Sequence, residues 1–559
     1  MNERTKTGLG ILEAALLLGI LGDALLRATP WGLNLFLWIG ALVVAMIALT
    51  FRHGRGLWQK ENLWLHSALI VFAALFVWRD SLTLQVLDVA ILLVLLSILT
   101  LPALRIQTRF AGFLQYAFGA VSAGLNAAFA PLLLIFKDIE WKTIPRNGWT
   151  RNLIPVLRGL AIAAPILLLF GGLFMAADAV FEGIVKNTFN INPETLFSHL
   201  LLFGFLAWIT SGYLRGALLE NPFAANSANV AHAAPQILHL SEPRSVVGEN
   251  SEPPDTPKAE TEVAADDSFG GSFFTLGKIE IGVVLGLINL LFLFFVIIQI
   301  RYFFGGMDLV QATPDFKLAE YARRGFFELC WVAGLSLPIL LTAHWLLRKD
   351  GNGTEKLFRV LAGMQIALLF VIMFSAVQRM LLYTGSLGYG LTTMRLYPTA
   401  FVLWLALVFL WFGLTVLRSQ PRLFAWGALW TALLVVGGLH VLNPDDLVVR
   451  HNVKLMQQGR QFDVLYNSYS LSDDAIPALD ESISKMSFDD VCVVKHQLLK
   501  RFENSKGGDF RTFNVSRWIA RRTFFVNNDG VLRSDREAVF DTTGCPAWTQ
   551  KNHRYHDDF

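Results

Sequence analysis

The chain has 559 residues, of which 54% are apolar and only 16% are charged. Soluble proteins carry roughly a quarter charged residues and cannot hide that much apolar surface from water. The composition therefore excludes a soluble enzyme, a nucleic-acid-binding protein and a disordered scaffold. A net charge of +3 points to no electrostatic partner. The fold class that remains is all-α: a polytopic transmembrane helical bundle whose first partner is the lipid bilayer.

About 20 consecutive apolar residues cross a bilayer as a helix. Runs of that kind fall near 8–26, 32–51, 63–78, 84–103, 114–136, 153–176, 195–214, 279–300, 326–347, 357–377, 398–417 and 423–442. The first follows Arg4 and Lys6 and precedes no A-x-A cleavage site, so it reads as an uncleaved span. The run 114–136 differs from the rest, because Gln115, Asn126, Pro131 and the small residues Gly119, Gly124, Ala127 and Ala128 interrupt it. If all twelve runs cross, Lys and Arg divide evenly between the two faces. If 114–136 does not cross, one face holds more than twice the Lys and Arg of the other. The positive-inside rule then predicts eleven crossings, with the N-terminus cytoplasmic and the C-terminal segment outside.

The chain divides by composition into an N-terminal membrane half (1–220), a linker rich in Ala, Pro, Ser and Glu (221–276), a C-terminal membrane half (277–442) and a polar tail (443–559). The linker has too few apolar residues to form a core, which predicts disorder. The tail opens on Asn443-Pro444, which stops the preceding helix. Ser487 with Asp490 forms a capping pair ahead of Val491, Val494, Leu498, Leu499 and Phe502 at helical spacing. A small, mainly helical soluble domain is expected there. Cys492 and Cys545 lie in this tail, and they pair if it faces an oxidising compartment or stay as free thiols in the cytoplasm. Cys330 sits in an apolar run as a packing residue.

No phosphate-cradling loop, nucleophile elbow or zinc-binding HExxH is present, so no cofactor, metal or catalytic residue is assigned. Ionisable residues in or near spans are Glu13, Asp23, Asp88, Arg158, Asp178, Glu328, His344 and His440. Most fall within two turns of a run's end, where a side chain reaches the interface. Asn289 and Gln365 lie deeper and are read as interhelical hydrogen-bonding groups. The densest polar cluster is at the membrane boundary. Arg301, Glu320, Tyr321, Arg323, Arg324 and Glu328 border one connection, and Arg379, Thr392 and Arg395 border the next. Arg324 and Glu328 are spaced to pair on one helix face. Arg groups there suit an anionic headgroup, and an interfacial anchor of Tyr and Arg accounts for them slightly better. In the tail, Arg511, Arg517, Arg521 and Arg522 alternate with Phe513, Trp518 and Phe524, as on a solvated helix with one packed aromatic side. His553, His556, Asp557 and Asp558 read as a frayed end.

Several stretches carry a family likeness: Ala177–Phe181, Arg301–Gly306, Glu320–Leu329 (EYARRGFFEL), Ser375–Met380, 389–395 (YGLTTMR) and Asn443-Pro444 with Asn452. Asp474–Leu479 and Phe510–Asn514 add to it in the tail. With these the chain resembles the bacterial multi-pass membrane proteins grouped as the domain-of-unknown-function 4173 family. The resemblance implies a bacterial inner-membrane location and this architecture, and it implies no activity. Three functions stay open: a structural or regulatory envelope protein whose tail contacts a protein partner, a transporter of a small anionic or lipid-linked solute, and a membrane enzyme acting on such a substrate. The missing deep charges and catalytic signatures favour the first.

Overall fold

The structure is a computed structural model. It describes residues 2–52, 60–104, 106–141, 193–219, 277–304, 318–347, 352–386, 390–503 and 509–525, with Thr143 and Phe170 as single positions. The run 153–176, with Arg158, and the linker 221–276 lie outside the described residues, as do Asp178, the turn at 528–530 and the last His and Asp residues. Every regular element described is helical. Among the described residues, ten helices are long and apolar enough to cross a membrane, and the shorter Asn62–Trp78 is apolar as well. The chain is thus an all-α, multi-pass membrane protein. It forms two compact units: Met1–Pro222 with Leu439–Asn443 and Val464–Phe559, and Phe223–Gly438 with Pro444–Asp463. The polar tail is therefore shared between the two.

The first unit begins with α1 (Glu3–Leu26), α2 (Leu33–Arg52), α3 (Lys60–Trp78), α4 (Leu82–Ile98), α5 (Phe113–Leu133) and α6 (Pro193–Leu218). Small residues set the approach of α1 to α6. A Cβ on Gly19 would stand 2.9 Å from the Ala207 methyl and 3.0 Å from the Phe203 carbonyl oxygen. The two helices run antiparallel, since Arg27 donates to Ser198 at 2.9 Å at one end. At the other end, Arg4 and Arg215 share the carboxylate of Asp138, each at 2.6 Å.

The residues that seemed to interrupt 114–136 form a packing surface. They build α5 without a break, and Gly212 and Gly216 of α6 bring that helix against Asn126 and Ala127. This is the small-xxx-small spacing that lets helix backbones approach. Both ends of α5 meet the same end of the unit. Gly119 faces Ser97 in the last turn of α4 and Leu101 just past its end. Asp138, in the π-turn that follows α5, faces Arg4 and Arg215, and Tyr213 joins these levels by donating to Leu96 O at 2.9 Å. With the turn that follows it, α5 has the length and apolarity of a span over Phe113–Asp138.

The second unit holds α7 (Lys278–Phe304), α8 (Leu318–Trp345), α9 (Asn352–Leu381), α10 (Thr393–Thr415), most of α11 (Phe424–Leu442) and α12 (Pro444–Gln457). Phe326, Phe358, Leu369, Phe409 and Phe412 form its buried centre. Asn289 links α7 to α9 as expected, donating to Leu361 O at 2.9 Å. Gln365 does not: it is buried, and both its polar atoms lack hydrogen bonds. The break after α11 comes from Asn443, in the left-handed region at φ 54, and from Pro444.

The tail then contributes α13 (Ile476–Ser482), α14 (Phe488–Glu503) and α15 (Val515–Phe525) to the first unit. The capping pair forms ahead of α14, with Asp490 N donating to Ser487 Oγ at 3.2 Å.

Candidate functional site

α3 and α4 are joined by only three residues, Arg79-Asp80-Ser81. Ser81 stands at the N-cap of α4 and makes no side-chain cap, which leaves backbone donors in need of an acceptor. The tail supplies it. Asp474 Oδ2 accepts from Asp80 N at 2.8 Å and Ser81 N at 3.0 Å, placing a buried carboxylate at the positive end of the α4 dipole. Asp474 Oδ1 accepts from Ser516 Oγ, and Arg79 Nη1 lies 3.4 Å from it. The end of α3 is satisfied by the same segment. Asn514 Nδ2 donates to Phe76 O at 2.7 Å and Arg79 O at 2.9 Å, and Ser516 Oγ lies 2.9 Å from Trp78 O, its one proton shared between that carbonyl and Asp474. The α1–α2 turn is closed likewise: Leu33 N donates to Phe513 O at 2.9 Å, Arg511 to Ala24 O, and Arg517 Nη2 to Trp31 O at 2.6 Å.

Around this seam three carboxylates meet three guanidiniums. Arg517 Nε is 3.1 Å from Asp80 Oδ1, and Arg501 Nη2 is 2.8 Å from Asp473 Oδ1. Burial pushes the Asp80 carboxyl up to about 7, with the charges of Asp473 and Asp474 adding to it and Arg517 and Arg501 opposing. Burial likewise raises Asp473. The cluster can take up and release a proton near neutrality. Deeper along α4, Asp88 Oδ2 lies 3.0 Å from His440 Nε2. Both side chains are buried against each other and closed to solvent. Arg79 Nε donates to His440 O at 2.8 Å, tying this pair to the seam.

A second buried carboxylate marks the opposite end. Asp138 has a fully buried side chain, and so does Arg215, whose Nε bonds it. Nη1 and Nη2 of Arg215 have no partner.

The boundary residues predicted from sequence fall in the second unit. Arg301, Glu320, Tyr321, Arg323 and Arg324 lie on α7 and α8, and their side chains are outside the described residues, as is any Arg324–Glu328 pair. Glu328 is exposed on α8. Arg379 of α9 lies against Gly325, so those two helices do meet at the predicted boundary. Thr392 is the N-cap of α10. Arg395 donates to Gly390 O at 2.6 Å and lies 4.6 Å over the Tyr383 ring. Asn452 clamps this loop, accepting from Leu391 N at 2.7 Å and donating to Leu391 O at 2.9 Å. That contact and the left-handed φ of 73 explain the glycine at 390. In the tail, Cys492 is buried and disulfide-bonded, and Cys545 lies outside the described residues.

Asp474, Asn514, Arg79 and Asp138 escaped the site prediction. A signal existed for two of them, because Asp474 and Asn514 sit in motif stretches to which no role was attached.

A family model described as a domain of unknown function (DUF4153) matches residues 66–482. The likeness read from the motifs thus holds at the level of an uncharacterised multi-pass family, and the matching family is not the one named from them. No curated protein and no solved structure matches the chain.

Proposed function

We propose a structural or regulatory role in the cell envelope for this chain, which belongs to the DUF4153 family. Its C-terminal segment acts as a plate that docks on the ends of its own first helices and holds them in register. The observation that carries this reading is Asp474, a buried carboxylate from the tail that caps α4. The plate is the extracytoplasmic end. A disulfide at Cys492 suits an oxidising compartment, and the opposite end carries Arg4, Arg52, Arg109, Lys137 and Arg215 in keeping with the positive-inside rule. α5 lies along that cytoplasmic boundary instead of crossing. The acidic seam, poised near neutrality, makes the docked state responsive to external pH.

The test is an Asp474→Ala allele at wild-type expression, scored for protease cleavage within 464–525 on intact spheroplasts and for envelope sensitivity to detergent. Cleavage with sensitivity close to that of a deletion strain supports the role. An undocked plate with wild-type resistance overturns it.

A further inference from the structure

Between α1 and α2 the described structure has a groove of about 410 Å³. Small residues, among them Gly10, Ala41, Ala45 and Ala48, line it alongside leucines and a valine, which leaves open space between the two helices. Two charged residues line it, Glu13 and Arg52. Both are exposed, and neither has an ion-pair or hydrogen-bond partner among the described residues. Glu13 stands ten residues into α1, about 15 Å along the helix, on an apolar face. A lone carboxylate there is expensive unless something meets it.

The helix directions bring the two charges toward one another. The helices are antiparallel, since Trp38 Nε1 near the start of α2 donates to Leu18 O late in α1 at 3.1 Å. Side chains tilt toward the N-terminus of their own helix. Arg52, at the C-terminal end of α2, therefore leans into the groove, and Glu13 leans back toward Arg52. They stay unbridged, which leaves room for a group that is an acceptor at one end and a donor at the other.

We propose that this groove binds one chain of a phosphate-headed amphiphile bearing a hydroxyl next to its headgroup, with Arg52 on the phosphate and Glu13 accepting from the hydroxyl. The guanidinium gives phosphate a two-pronged donor. The apolar length beyond Glu13 receives the first part of the acyl chain. This assignment is independent of the plate and of the orientation of the protein.

The experiment is equilibrium binding of 1-oleoyl lysophosphatidate to the full chain in dodecyl maltoside. Inorganic phosphate, oleyl alcohol and lysophosphatidylcholine serve as comparison ligands. Saturable binding of one lysophosphatidate, weakened about tenfold or more by Arg52→Gln and by Glu13→Leu and retained in Glu13→Gln, supports the site. Ala45→Phe, or Ala48→Leu if the first fails to fold, abolishes binding with the thermal unfolding midpoint unchanged. Wild-type binding in a folded groove-filling variant overturns the proposal. So does equal affinity for lysophosphatidylcholine, or full competition by inorganic phosphate.

Discussion

Replacing Asp80 by Asn tests the electrostatics of the docked plate. Asp80 has an ordinary carboxyl value of 3.8, held at about 7 by burial beside Asp473 and Asp474. A folded-state value above the unfolded one contributes stability that is complete below pH 3.8 and lost as pH rises through 7. Each unit corresponds to about 1.4 kcal/mol, so the part lost between pH 5 and 7 is roughly 2–3 kcal/mol. Asn keeps the backbone N–H that Asp474 accepts, and its side chain stays neutral. The variant should match the wild type below pH 3.8, be ahead of it by about 1.5 kcal/mol near pH 5, and gain roughly a further 2–3 kcal/mol on it by pH 8, less what the Arg517 contact returns. Thermal unfolding of the full chain followed by tryptophan fluorescence from pH 5 to 8.5 reads this directly. The difference between the two proteins is the quantity of interest, because Asp473 is also raised and titrates in both. A difference that is flat across the range, or one that favours the wild type at pH 8, refutes the reasoning.

Asp474→Asn removes a buried charge from Arg79 and from two backbone donors, and should cost about 3–5 kcal/mol, seen as a lower unfolding midpoint and new tryptic cuts in 464–525. Gly212→Ala places a Cβ 2.7 Å from the Ala127 carbonyl oxygen and should cost about 1–3 kcal/mol. Gly204→Ala, which meets nothing within 4 Å, should stabilise α6 by up to about 1 kcal/mol, and the opposite order of midpoints would count against the α5–α6 crossing. Arg215→Leu leaves the buried Asp138 with Arg4 and should lose up to about 3 kcal/mol, while Arg215→Leu with Asp138→Leu should recover part of it; additive losses in that cycle would show that the two are not a buried pair.

The parts of this fold that were legible in the sequence are those that local chemistry decides. Apolar runs give the helices, Asn443-Pro444 ends α11, and Ser487 with Asp490 starts α14. What was not legible is which distant group answers a buried charge. Asp88 and His440 are 352 positions apart, and each alone looked like a residue close enough to a helix end to reach water. Hydropathy says that a position faces away from water or toward it, and is silent on which helix it faces. The same limit explains α5. Its Gly, Asn and Pro residues lower helix propensity and its Ala residues dilute the hydropathy, so they read as interruptions, but Asn126 and Ala127 are where Gly212 and Gly216 come close. Of the boundary residues, Arg395 bonds loop backbone at Gly390 O in the second unit, while the charge network around Asp474 lies in the first.

The chain's late residues complete its early helices, and this has a consequence for assembly. Until residues 510–517 have been made, the carbonyls ending α3 lack Asn514 and Ser516, and the α1–α2 turn lacks Phe513 and Arg511. Until residue 474 emerges, the donors at Asp80 and Ser81 have no carboxylate. Synthesis at roughly 5–20 residues per second leaves the α3–α4 turn open for tens of seconds after its own insertion. Such a turn stays wet, because backbone groups without partners are satisfied by water at the membrane surface. A chain stopped after Asp463 should therefore insert its helices and keep that turn accessible. With Ser81→Cys as the probe, a membrane-impermeant maleimide should label the stopped chain readily. It should label the full chain slowly, since Ser81 is buried beneath Asp474 and Ser516. The full chain with Asp474→Ala should label at an intermediate rate, because Asn514 and Ser516 still hold the plate to α3. Equal labelling of stopped and full chains would mean that the turn closes without the tail, and that the plate is a passenger on a bundle already complete.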